Sequence, residues 1–72
     1  MKKLLKKYNL NSDMQYFEMI VESFINGNYN QAIDQFKVLP KRERKEMVKS
    51  CLTGAWNSGL NLTQKNLLID HI

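Results

Sequence analysis

The sequence predicts an all-α fold, a small antiparallel bundle of three main helices plus a short C-terminal helix. Three observations carry this reading. Apolar residues recur at three- and four-residue steps along most of the chain. Gly27, Pro40, Gly54 and Gly59 punctuate those runs. No stretch alternates apolar and polar residues over a useful length, so strands are not expected. The segment Gly27-Asn28-Tyr29-Asn30-Gln31-Ala32-Ile33-Asp34-Gln35-Phe36 concentrates the pattern: a glycine stop, then at once small and aromatic residues at helical spacing.

Residues 1–10 form a basic lead, in which Lys2, Lys3, Lys6 and Lys7 surround Leu4, Leu5 and Tyr8. It reads as a frayed helix or as an arm that orders against a partner. Residues 11–72 form a single helical domain. Its first helix opens with Ser12, whose side chain can accept from the first turn, and with Gln15 three residues on, a capping-box pattern. Asp13 places negative charge at the positive end of the helix dipole. Met14, Phe17, Ile20, Val21, Phe24 and Ile25 then make a broad apolar stripe, and Gly27 supplies a left-handed stop.

The second helix spans about Tyr29 to Leu39, with Asn28 or Asn30 as its cap and Ala32, Ile33, Phe36 and Leu39 turned inward. Pro40 ends it and can open the third helix. That helix carries Lys41 to Glu46, then an inward stripe of Met47, Val48, Cys51, Leu52 and Ala55, with Trp56 covering the core near the joint. Thr63 is the expected cap of the fourth helix, with Leu67, Leu68, Ile69 and Ile72 as its apolar residues.

The spacing of Gly27, Tyr29, Ala32, Ile33 and Phe36 resembles the second half of a tetratricopeptide repeat, and Tyr16 falls where such repeats carry an aromatic in their first helix. The resemblance covers residues 13–40. Ile20 stands where the family has glycine, Ser23 where it has an aromatic, and Pro40 comes early. What the resemblance implies is peptide or protein binding.

Composition narrows the function classes. The chain has 72 residues with 43% hydrophobic and 10% aromatic content, typical of one folded domain with one core. A domain this small buries only about 60% of its unfolded surface, so its stability margin is thin. No apolar run reaches the roughly 20 residues that cross a bilayer, and the basic lead lacks the long apolar stretch of a signal peptide. A cytoplasmic protein without stable membrane insertion is expected. Nine Lys and eight Asn also fit an AT-rich genome, such as that of a phage or mobile element.

Groups that do chemistry are scarce. His71 is the sole histidine and is expected exposed near the chain end; Asp70 precedes it, but adjacent residues on a helix diverge. Cys51 is the sole cysteine and lies on the apolar stripe of the third helix, where it reads as a small buried hydrophobe. One His and one Cys cannot supply the four ligands of a zinc site. Glu18 and Glu22 share a helix face as solvated carboxylates. No catalytic residue, cofactor site or metal site is therefore expected, and the protein is read as non-enzymatic.

The expected role is contact with a larger protein partner, masking or modulating it as an inhibitor does, with homodimerisation as a further expectation. Tyr16, Met19 and Tyr29 lie off the main stripe and are the candidates for an exposed apolar interface. Lys41, Arg42, Arg44, Lys45 and Lys49 form the candidate basic patch; net charge is +4. An Arg42–Glu46 pair along the helix is expected to temper it. The alternative is a DNA- or RNA-binding regulator using residues 41–55 and the start of a helix over 63–72. There Thr63, Gln64, Lys65 and Asn66 would occupy a leading turn of the kind that reads base edges.

Overall fold

The computed structural model describes residues 1–54 and 56–72, and Ala55, expected on the inward stripe, lies outside them. Five helices follow one another: α1 (Lys2–Lys7), α2 (Asp13–Ile25), α3 (Tyr29–Val38), α4 (Lys41–Leu52) and α5 (Leu62–Asp70). The all-α bundle is as the periodicity predicts, with the basic lead adding a helix of its own.

Two chain reversals share one device. After α2, Gly27 adopts φ 81°, its amide donates to the Phe24 carbonyl, and the Asn28 amide donates to the Ser23 carbonyl at 2.8 Å. After α1, Asn9 takes the same left-handed conformation at φ 57°, with Asn9 donating to Lys6 and Leu10 to Leu5. Both are Schellman closures, and asparagine is the usual substitute for glycine there. The α1 closure folds the lead back: Met1, Leu4, Leu5 and Leu10 pack against the core. A radius of gyration of 11.1 Å matches the about 11 Å expected of a folded chain this long, so no arm projects.

The other helix starts follow side-chain chemistry. The Ser12 hydroxyl accepts from the Gln15 amide, while the Gln15 side chain takes the Asn11 amide rather than that of Ser12. Asn28 caps α3 by position, without a side-chain hydrogen bond. Pro40 precedes α4 and its carbonyl accepts from the Arg44 amide. At α5 the cap is Asn61, not Thr63. Asn61 Oδ1 accepts from the Gln64 amide at 2.8 Å and Gln64 Oε1 accepts from the Asn61 amide at 3.0 Å, a complete capping box. Replacing Asn61 by alanine is expected to cost about 1 kcal/mol, whereas the exposed Thr63 should tolerate alanine within about 0.5 kcal/mol. Urea midpoints of the two variants check the assignment.

The core gathers Tyr16, Phe17, Ile20, Val21 and Phe24 from α2 with Ala32, Phe36 and Leu39 from α3 and its end. Met47, Val48 and Cys51 of α4 close it, with Leu60 and Leu68. Several residues placed on the inward stripes lie outside: Met14, Ile25, Leu52 and Ile69 are exposed, Ile25 at 63%. Each sits in the first or last turn of its helix or next to a residue already facing inward. Neighbours on a helix diverge by about 100°, so Cys51 and Leu68 enter the core while Leu52 and Ile69 turn away.

Candidate binding groove

A short polar network inside the α2–α3 pair borders a groove on the surface of the molecule. Tyr16, expected at an exposed interface, is fully buried, because α1 folds over it and the Tyr8 ring meets it edge-on at 5.9 Å between centroids. Its hydroxyl donates to the Gln35 carbonyl at 2.8 Å. Burial pushes the Tyr16 phenol up to about 12, with the neighbouring Tyr8 adding to the shift. Two turns further along α2, Ser23 Oγ lies 2.9 Å from Gln35 Oε1 and 3.1 Å from the Met19 carbonyl.

Gln35 is only 8% exposed, yet this network engages just one end of its carboxamide. Its Nε2 makes no hydrogen bond within the chain among the described residues. A primary amide offers a donor end and an acceptor end. Whichever end Ser23 holds, the other is left for the groove that Gln35 lines.

That groove consists of two adjoining depressions of about 420 and about 330 Å³, both lined by Tyr8, Gln31 and Gln35. Asp34 and Val38 complete the first. Met19, Glu22, Asn26 and Asn28 lie along the second. Asn28, Gln31 and Gln35 succeed one another at three- and four-residue steps, the spacing that stacks side chains on one helix face. Glu22 and Asp34 have no ion-pair partner among the described residues, where the recorded pair is Arg42–Glu43 at 3.4 Å. Arg42 thus meets Glu43 rather than the expected Glu46, and Glu43 is buried in the first turn of α4. The Lys7 ammonium stands 5.4 Å from the centre of the Tyr8 ring.

The other predicted contact residues disperse. Met19 is half-buried on the groove wall. Tyr29 lies outside the groove lining, 41% exposed, with its ring edge on Phe24 and its hydroxyl accepting from Gln64 Nε2 at 3.2 Å. Lys41, Arg42, Lys45 and Lys49 are exposed on α4. Arg44 is not part of that patch. Its guanidinium turns back to donate to the carbonyls of Lys37, Leu39 and Ile72 at 3.2, 2.7 and 3.1 Å. The Lys37 and Leu39 carbonyls lie where α3 ends and the Ile72 carbonyl lies past α5, without helical partners, so a planar multi-donor fork suits them.

In the expected reading turn, Thr63 and Asn66 are exposed, but Gln64 is buried in its cap and Lys65 is half-buried. Gln64 is therefore not free to read base edges. Cys51 is buried, and burial pushes its thiol up, a hydrogen bond from Ser58 and the charge of Lys65 partly offsetting this. His71 is half-buried, not exposed, with Nδ1 2.7 Å from the Leu67 carbonyl. Among the described residues no three His, Cys, Asp or Glu side chains gather as metal ligands, and no helix is long and apolar enough to cross a membrane.

Sequence reasoning missed Gln31 and Gln35 as site residues; Tyr8 is recognisable as an aromatic off the main stripe near a joint, though not among the expected contacts. The signal was present in the Asn28–Gln31–Gln35 register, although a carboxamide face on an exposed helix is ordinarily solvated. Comparison with family models, with curated proteins and with solved structures returns no match.

Proposed function

We propose that this chain is a non-enzymatic protein-interaction domain that masks or modulates a larger partner by holding one of its segments in the α2–α3 groove. The observation that carries the reading is Gln35: a residue only 8% exposed, held at one end of its carboxamide by Ser23 and presenting the other end to the depression it lines. A primary amide reaching the groove can donate to a backbone carbonyl of a bound segment. Met19, Val38 and Tyr8 add apolar walls. The resemblance to a tetratricopeptide hairpin points the same way. An AT-rich composition supports a phage- or mobile-element-encoded modulator acting in the cytoplasm.

Affinity capture from the source cell, with nuclease added and at raised salt, tests this. Wild-type protein should recover a protein partner that a folded Met19→Trp, Gln31→Trp variant, its groove filled without a change of charge, does not. Equal recovery by the variant would remove the groove assignment.

A second reading rests on the exposed row of Lys41, Arg42, Lys45 and Lys49, which suits a nucleic-acid backbone. Binding by that face should weaken steeply with salt, in proportion to the phosphates contacted. It should be lost with Lys41→Glu and Lys45→Glu while the groove variant retains it.

A further inference from the structure

We infer that the segment held in the groove is an extended peptide bearing lysine or arginine side chains. This rests on the groove reading above and adds the conformation and charge of the occupant. Asn28, Gln31 and Gln35 form a carboxamide row along α3. Seven residues of helix rise about 10.5 Å, which is the length of roughly three extended residues. An extended chain carries unpaired N–H and C=O groups along that length, and primary amides match both. A helical occupant satisfies its own backbone and would instead need a continuous apolar stripe to pack on. Here the apolar residues Met19, Tyr8 and Val38 are separated by carboxamides and carboxylates.

The charge of the occupant follows from the lining. Asp34 borders one depression and Glu22 the other, neither with an ion-pair partner among the described residues, and no lining residue is cationic. An acidic segment would set carboxylate against carboxylate at both depressions. A Lys- or Arg-bearing segment would complete two ion pairs while its apolar side chains reach Met19 and Val38. Lys7, beside Tyr8, is the nearby like charge, and its neutralisation should favour such an occupant.

The test uses two fluorescein-labelled peptides, one repeating Lys-Leu-Lys-Tyr and its counterpart repeating Glu-Leu-Glu-Tyr. Oligothymidylate serves as an anionic competitor. Anisotropy gives affinity, and ¹⁵N-correlated spectra follow the side-chain NH₂ signals of Gln31 and Gln35. The cationic peptide should bind about tenfold or more tighter than the acidic one, the scale of two exposed ion pairs gained against two repulsions. It should shift the Gln31 and Gln35 signals, and Glu22→Lys with Asp34→Lys should reverse the preference. Lys7→Gln should tighten the cationic peptide. Equal binding of both peptides, with the same shifts, overturns the charge assignment and leaves the groove itself standing. Shifts centred on Lys41 and Lys45, displacement by oligothymidylate, or no shift with either peptide overturns the inference. The groove reading falls only if the captured partner is also indifferent to Met19→Trp, Gln31→Trp.

Discussion

Tyr16→Ala is expected to unfold the domain, lowering its stability by about 3–5 kcal/mol, the usual cost of truncating a buried aromatic residue. The ring is fully buried, meets Tyr8 edge-on and lies among the largest core side chains. Small domains sit near the lower end of a range of roughly 5–15 kcal/mol, so little margin would remain. Urea denaturation followed by circular dichroism reads the loss. A variant as stable as wild type would mean that the ring is not in the core.

Tyr16→Phe separates the hydroxyl from the ring. It should cost about 1 kcal/mol, for the bond to the Gln35 carbonyl. It should also change the alkaline limb. Burial pushes the folded phenol up to about 12 from its ordinary 10.0, so the folded state favours the protonated form. That contribution is complete below the unfolded value and disappears as pH rises from there through the folded one. Wild type should therefore lose stability more steeply than Tyr16→Phe above that lower value, and parallel limbs would contradict the assignment.

Arg44→Ala is expected to cost about 2–3 kcal/mol, the scale of hydrogen bonds to a charged group. In a domain of this size that lowers the thermal midpoint by roughly 4–8 °C for each kcal/mol. One guanidinium ties the carbonyls of Lys37 and Leu39, where α3 turns into α4, to that of Ile72 beyond α5. Removing it leaves all three to find other donors at once. Arg44→Lys should recover only part of the loss, because an ammonium cannot span the fork that the guanidinium makes. A lysine variant melting with wild type would show the fork to be dispensable.

The parts of this molecule legible in its sequence were those governed by near neighbours. Gly27 stopped α2 where an αL residue was needed, and the Phe17–Ile20–Val21–Phe24 stripe went inward, because both depend on residues within one or two turns. The misread parts depended on distant ones. Tyr16 lies off the stripe and is buried because α3 takes its hydroxyl and Asn9 returns α1 so that the Tyr8 ring meets it. Arg44 looked like one cation among several until α3 and the segment after α5 brought carbonyls to it. Thr63 was a sound cap by residue type, but the chain entered α5 two residues earlier, at Asn61. Gln35 is the clearest case: its polarity argued for solvent, and only Ser23 and Tyr16 from the facing helix draw it in.

The sealed position of Cys51 has a practical corollary. At 5% exposure and with its thiol shifted away from the thiolate, this lone thiol is hidden from maleimides while the bundle is closed. Alkylation must wait for a breathing event that separates α4 from its neighbours. Its rate under trace reagent then becomes a clock for those excursions in the unmodified protein, with no added dye or engineered label.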